Sequence, residues 1–133
     1  MANKHISLWE TEVRDYEIDF QGIVNNANYF HYLDNARCLY FKEKALDLPS
    51  CAKEGINVVI IESKIIYKSP LRYADKFTVE SEFSQLSKIK FLFNQKIYLC
   101  NNKKQILEAQ SIICTVYSSN GRPFFYEKLL SCL

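Results

Sequence analysis

The segment between Val13 and Arg37 concentrates the residues of this chain that could do chemistry. It places acidic side chains up to Asp19, then a lone glycine and a cluster of asparagines, directly ahead of an aromatic run with helical spacing. Such an order can hold a carboxylate beside a helix N-terminus, where free backbone N–H groups and the macrodipole favour developing negative charge. The segment therefore indicates an acyl-transfer or hydrolase site.

A helix must follow this segment to supply those N–H groups. We predict it from Asn28 to about Ala45, with Asn25, Asn26 or Asn28 as the N-cap and residues 48–50 (Leu-Pro-Ser) as its end. Its apolar residues cover most of the circumference, whereas a surface helix shows a narrower stripe. We therefore expect this helix to be largely buried.

The rest of the chain has the pattern of β-structure. Alternation of apolar and polar residues over 76–86 is typical of a half-exposed antiparallel strand. Strands are predicted over 7–14, 57–68, 76–86, 89–100 and 105–118, with a loop over 15–27 and a short helix over 126–133. One strand, one long helix and four long strands predict a single α+β domain over 1–133, an antiparallel sheet wrapped around one helix. Dimerisation through edge strands would complete such a sheet.

Charge, apolar runs and cysteine spacing argue against several classes of function. The net charge of +2, with both signs interspersed, argues against nucleic acid as a partner. The first residues lack the apolar stretch of a signal peptide and no run is long enough for a membrane span, so we expect a cytoplasmic protein. The five cysteines are scattered and form no CxxC pair, which predicts free thiols and no metal site.

The segment also resembles the N-terminal signature of the 4-hydroxybenzoyl-CoA thioesterase-like hotdog family, which includes the YbgC-type acyl-CoA thioesterases. The matching positions are Val13, Arg14, Glu17, Asp19, Gly22, Val24, Asn28, Tyr29, Ala36 and Arg37. Weaker similarity continues at 69–72 with Asp75 and at 121–123. The resemblance implies the hotdog fold over essentially the entire chain.

By this resemblance, Asp19 acts on the thioester carbonyl as nucleophile or general base. The backbone N–H of Asn26 would polarise the carbonyl oxygen, and Gly22 would permit a backbone conformation or a close approach that a Cβ would block. One departure from the family is that Asn25 and Asn26 stand where many relatives carry Tyr-His. Because the expected donor is main chain, this replacement leaves it in place.

Further residues are assigned to substrate binding or to support of the site. Asn28 would cap the helix or fix the loop, and Tyr29, with Phe30, would line the acyl chain. Glu17 shares the loop with Asp15 and is expected to be solvated, with a structural role as the alternative. For Arg37 an ion pair is expected, because a cation on an apolar helix needs a partner. Four residues are candidates for holding the nucleotide and phosphates of CoA: Arg72, Ser87, Lys88 and Lys90.

The leading hypothesis is an acyl-CoA thioesterase that forms a homodimer or a dimer of dimers, with CoA as part of the substrate and no other cofactor. Three alternatives stay open. An acyl-carrier-protein thioesterase would handle the same pantetheine arm. A hotdog hydratase would need a histidine, and His5 and His31 are poorly placed for that role. A non-catalytic acyl-CoA-binding protein would be stabilised by ligand without hydrolysing it.

Overall fold

Five long antiparallel strands form one sheet around one long helix in the computed structural model, which describes residues 5–133. The elements, in chain order, are β1 (Ile6–Glu12), a 3₁₀ turn (Asp15–Glu17), α1 (Asn26–Glu43), α2 (Leu48–Lys53), β2 (Ile56–Tyr67), β3 (Lys76–Gln85), β4 (Phe91–Leu99), β5 (Gln105–Tyr117), β6 (Pro123–Phe124) and α3 (Glu127–Leu130). The predicted α+β class, with an antiparallel sheet around one helix, is confirmed.

The strand order across the sheet is β1-β3-β4-β5-β2, and the short β6 pairs with β5. Every pairing is antiparallel. The two long edges are therefore β1 and β2. Helix α1 lies over β1 and β3, on the inner face of the sheet. No helix in the described part of the chain is long and apolar enough to cross a membrane.

The inner face of the sheet carries two apolar clusters. The first surrounds the N-terminal half of α1 and includes Tyr29, Leu33 and Phe77, and the second surrounds the C-terminal half and includes Phe41 and Phe93. Strict alternation along β3 and β4 produces this arrangement, because every second residue points to the helix. The sheet is therefore half-buried, as the alternation over 76–86 predicts.

A layer of polar side chains lies on the inner face between these clusters. Arg37 Nη1 donates to Gln95 Oε1 at 3.0 Å, and Gln95 Nε2 donates to the Leu33 carbonyl and to Ser81 Oγ, each at 3.0 Å. The predicted ion pair of Arg37 is only peripheral, since Asp34 Oδ1 lies 3.5 Å from Nη2 and the Asp34 side chain is 68% exposed. The principal partner of Arg37 is thus a neutral amide.

Two predictions about α1 are wrong. The helix begins at Asn26 and ends at Glu43, two residues earlier at each end than expected, and it is followed by the unpredicted α2. Pro49 lies in the first turn of α2, where the helix does not use the N–H that proline lacks. This proline therefore suits the start of α2 as well as preventing α1 from continuing. The expected burial of α1 is also incomplete, because the sheet covers one side and leaves residues such as Phe30 half-exposed.

Candidate active site

Asp19 opens a tight turn that its own carboxylate stabilises. Asp19 Oδ1 accepts a hydrogen bond from the Gln21 backbone N–H at 2.8 Å, and the Gly22 N–H donates to the Asp19 carbonyl at 3.0 Å. Gly22 has a φ of +78°, while a Cβ built there would meet no atom within 4 Å. Of the two predicted reasons for this glycine, the left-handed backbone conformation is therefore the one that the structure supports.

The turn is held against a segment that lies far from it in sequence. Val24 N–H donates to the Leu71 carbonyl at 2.9 Å, and Ile23 pairs with Arg72 as an antiparallel bridge. Leu71 N–H in turn donates to the Tyr29 hydroxyl at 3.0 Å. Arg72 is thereby brought beside the Asp19 turn, with its side chain exposed.

The N-terminus of α1 lies directly after this turn. Asn25 is the N-cap, and its side-chain Oδ1 accepts from the Ala27 N–H at 2.9 Å. The Asn28 N–H donates to the Asn25 carbonyl at 2.9 Å. Among residues 5–133, no group accepts a hydrogen bond from the backbone N–H of Asn26. The first residue of the helix therefore has a backbone N–H without an acceptor in this part of the chain, at the predicted position and at the positive end of the helix.

Glu17 connects the Asp19 turn to the helix. Its backbone carbonyl accepts from Asn28 Nδ2 at 2.8 Å and from the Asn25 N–H at 3.1 Å. Its buried carboxylate accepts from the Arg14 N–H at 2.8 Å and lies beside the hydroxyl of Tyr32. Burial, foremost, and this carboxylate raise the pKa of Tyr32. Asn28 thus fixes the loop, as expected. Glu17 is buried and makes structural hydrogen bonds, so the alternative rather than the expected solvated role fits this geometry.

A shallow cavity of about 340 Å³ opens at the start of α1. Its lining residues are Ile23, Val24, Asn26, Tyr29, Tyr67, Lys68, Ser69 and Pro70. The rings of Tyr29 and Tyr67 meet at a centroid distance of 5.6 Å, and burial raises the pKa of Tyr29. Tyr29 therefore lines this cavity, whereas Phe30, its expected companion, lies on the exposed side of α1.

The remaining candidates for CoA binding lie elsewhere. Ser87, Lys88 and Lys90 form the β3–β4 turn, where Ser87 Oγ accepts from the Lys90 N–H at 3.2 Å and Lys88 Nζ lies 6.0 Å from the Phe125 ring centroid. The strand residues that flank this turn belong to the second apolar cluster, around the C-terminal half of α1. These three residues are therefore not brought together with Asp19 of the same chain.

Two groups at the site escaped the sequence analysis: the backbone of Leu71 and the ring of Tyr67. Both reach the start of α1 through tertiary contacts, and Leu71 is 42 residues from its partner Tyr29. The only signal for Tyr67 was an aromatic residue at the end of a strand just before Ser69-Pro70. Within the described range, no group of three or more His, Cys, Asp or Glu residues is arranged to hold a metal ion.

The family model described as the thioesterase-like superfamily matches residues 13–128. The chain belongs to this superfamily. The predicted family is thus confirmed.

Two relatives that are named as thioesterases are similar to this chain over most of its length. The chloroplastic acyl-acyl carrier protein thioesterase ATL3 of Arabidopsis thaliana is 36% identical over 103 residues, which are 77% of this chain and 54% of that protein. The chain thus spans about half the length of this relative. The putative acyl-CoA thioesterase YneP of Bacillus subtilis is 28% identical over 124 residues, 93% of this chain and 89% of that protein.

A solved structure confirms the hotdog fold. The 1,4-dihydroxy-2-naphthoyl-CoA thioesterase Slr0204 from Synechocystis superposes with a TM-score of 0.91 at 15% identity, over 96% of this chain and 95% of that one. At this identity the likeness concerns the fold alone. The thioesterase hotdog, predicted from the N-terminal signature, is the architecture of this protein.

Proposed function

We propose that this protein is an acyl-CoA thioesterase that hydrolyses the thioester to a free acid and CoA. The observation that carries the proposal is the backbone N–H of Asn26 at the N-terminus of α1, which has no acceptor among residues 5–133 and adjoins the turn that presents the Asp19 carboxylate. Membership of the thioesterase-like superfamily and the similarity to YneP support the reaction class.

The proposed mechanism uses these two groups. The thioester carbonyl oxygen accepts the Asn26 N–H, which stabilises the oxyanion of the tetrahedral intermediate. As general base, Asp19 removes a proton from water while the water oxygen attacks the carbonyl carbon; the C–S bond then breaks and the CoA thiolate takes up a proton. As nucleophile, Asp19 would instead form a mixed anhydride that water hydrolyses. Both routes give the same products.

We also propose that two copies of the chain form a dimer through β2. The edge strand β2 is twelve residues long and exposes Ile60, Ile61, Ile66 and Tyr67 to between 43% and 49%. An exposed apolar edge is a template for pairing with another strand, and two copies can satisfy it symmetrically. Since the β3–β4 turn lies at the far end of α1, its Lys88 and Lys90 could hold CoA phosphates only for Asp19 of a partner.

The test is thiol release from short, long and aromatic acyl-CoAs by the purified protein and by Asp19→Asn. Asparagine retains an oxygen that can accept the Gln21 N–H, so the turn is kept while the carboxylate is lost. We expect turnover to fall by about 10²-fold or more, as for loss of a general base. Equal turnover in a folded variant would refute the role of Asp19. Stabilisation by acyl-CoA without hydrolysis would indicate a binding protein.

An acyl-carrier-protein thioesterase is the second candidate, and the similarity to ATL3 favours it. Both carriers present the same pantetheine arm, so the Asp19 turn and the α1 N-terminus serve either. Matched acyl groups on CoA and on carrier protein discriminate the two. A kcat/KM that is at least about tenfold higher for the carrier protein, equivalent to about 1.4 kcal/mol, would replace the leading proposal.

A further inference from the structure

We propose that the Tyr29 hydroxyl donates a hydrogen bond to a carbonyl oxygen of the substrate, either that of the thioester or that of the pantetheine amide next to it. This inference rests on the proposed function, because it takes the substrate to occupy the cavity at the start of α1. It gives Tyr29 a polar role in addition to the apolar lining that its ring provides.

The Tyr29 hydroxyl is buried, and only its oxygen is engaged within the protein. Tyr29 is 3% exposed, and its oxygen accepts from the Leu71 N–H at 3.0 Å. A phenol can also donate one hydrogen bond, yet no group among residues 5–133 accepts from this hydroxyl. Buried tyrosine hydroxyls normally have their hydrogen bonds satisfied, so this proton is available to a ligand.

The other two buried tyrosines of α1 use their hydroxyls differently. The Tyr40 hydroxyl donates to the Cys132 carbonyl at 2.7 Å, in the second apolar cluster. The Tyr32 hydroxyl lies beside the Glu17 carboxylate. Of the three, Tyr29 is the one that lines the cavity at the start of α1.

The direction of the Tyr29 side chain brings its hydroxyl to the start of α1. Tyr29 follows Asn26 by three residues, so both lie on one face of the helix, and helical side chains lean towards the N-terminus. The hydroxyl contacts Leu71, whose carbonyl in turn accepts from the N–H of Val24, two residues before Asn26. Asn26 and Tyr29 both line the cavity of about 340 Å³. Two donors without acceptors in the described chain, the Asn26 N–H and the Tyr29 O–H, thus belong to residues that line one cavity.

The ring of Tyr29 is held in place from several sides. It packs in T-shaped contacts against Tyr32 and Tyr67, with centroid distances of 6.1 Å and 5.6 Å, while the Leu71 N–H holds its oxygen. A donor that is already fixed needs no reorganisation when negative charge develops on a carbonyl oxygen. The hydroxyl is therefore preorganised to donate.

The surroundings of Tyr29 keep the proton on its hydroxyl. Burial, foremost, raises the pKa of Tyr29; the Leu71 N–H opposes this effect, and the nearby Tyr67 and Asp75 add to it. The neutral phenol, which is the form that can donate, is therefore the form present in neutral solution.

The first measurement compares kcat and KM of the wild type, Tyr29→Phe and Tyr40→Phe on short, long and aromatic acyl-CoAs. Tyr40→Phe is the matched control, because it also removes a buried tyrosine hydroxyl that makes one hydrogen bond, but in the second apolar cluster. We expect kinetic constants close to those of the wild type for this control.

The constant that changes in Tyr29→Phe identifies the oxygen that is bound. A fall in kcat of about 10²-fold would assign the bond to the thioester oxygen, as for loss of one oxyanion donor. A rise in KM of about tenfold at unchanged kcat would assign it to the pantetheine amide, as for loss of a binding hydrogen bond. Unchanged constants, or equal changes in Tyr29→Phe and Tyr40→Phe, would overturn the inference.

A second variant separates the donated bond from the accepted one, because Tyr29→Phe also deprives the Leu71 N–H of its acceptor. A polyfluorinated tyrosine at position 29 is chosen so that phenolate absorbance shows its ionisation within the pH range in which the protein is folded. The phenolate still accepts from Leu71 but cannot donate. We expect the constant altered in Tyr29→Phe to change likewise as this phenol ionises, at a pH where the wild type is constant. A profile equal to that of the wild type would overturn the inference.

If the wild type hydrolyses none of the acyl-CoAs, the proposed function fails, and the hydrogen bond is tested by binding. Thermal stabilisation by the same acyl-CoAs is then compared among the wild type, Tyr29→Phe and Tyr40→Phe. A smaller stabilisation of Tyr29→Phe alone would support the inference. Equal stabilisation of all three proteins, or none of the wild type, would overturn it.

Discussion

Replacement of Asn26 by proline should lower kcat by about 10²–10³-fold while leaving the fold intact. Asn26 is the first residue of α1, and among the described residues nothing accepts its N–H. Proline is favoured at this position, because it lacks an N–H that the helix does not use and its φ is already helical. Asn25, which precedes it, has φ −64° and ψ 141°, a conformation compatible with a following proline. The substitution therefore removes one backbone donor and no structural hydrogen bond.

The expected effects of Asn26→Pro on catalysis and on stability differ widely in size. Loss of an oxyanion donor costs about 3–4 kcal/mol of transition-state stabilisation, or about 10²–10³ in kcat. The free energy of unfolding should change by no more than about 0.5 kcal/mol, as at other exposed positions without special contacts. Loss of the asparagine side chain alone should matter little, since the proposed donor is main chain.

The assay compares kcat for thiol release, with unfolding in urea, for the wild type, Asn26→Pro and Asn26→Ala. The alanine variant is the matched control, because it removes the same side chain and keeps the N–H. We expect activity near that of the wild type for alanine and a loss of about 10²-fold for proline. Similar activity in all three proteins would refute the assignment of this N–H. Equal losses in both variants would assign the role to the side chain.

Three further predictions concern stability and assembly. Gly22→Ala should lower the free energy of unfolding, measured in urea, by about 1–2 kcal/mol, because alanine is strained at the positive φ of this position. A Cβ would meet no neighbouring atom there, so backbone strain is the whole effect, and an unchanged free energy of unfolding would contradict it. Burial, foremost, raises the pKa of Tyr40 to about 12. Because the folded protein holds this proton more tightly, stability should fall as the pH rises from about 10 towards 12, and Tyr40→Phe should reduce that slope in pH-dependent unfolding. Ile61→Lys on β2 should convert a dimer into a monomer in light scattering, with Ile61→Val as the control that stays dimeric.

The sequence by itself determined the local part of the site. Asp19, Gly22 and Asn26 lie within one short segment, where turn and helix-cap chemistry act over two to four residues and leave readable patterns. The same holds for the long strands, because alternation is a local signal. The superfamily signature could also be recognised there, since its residues all lie between Val13 and Arg37.

Only the tertiary structure decided which distant groups join that segment. Leu71 and Tyr67 reach α1 because antiparallel pairing folds the end of β2 back beside it, and no local pattern encodes that register. The same topology carries Lys88 to the opposite end of the helix. The partial exposure of α1 likewise could not be predicted from the sequence. The helix is apolar around most of its circumference, so the pattern does not indicate which side the sheet covers.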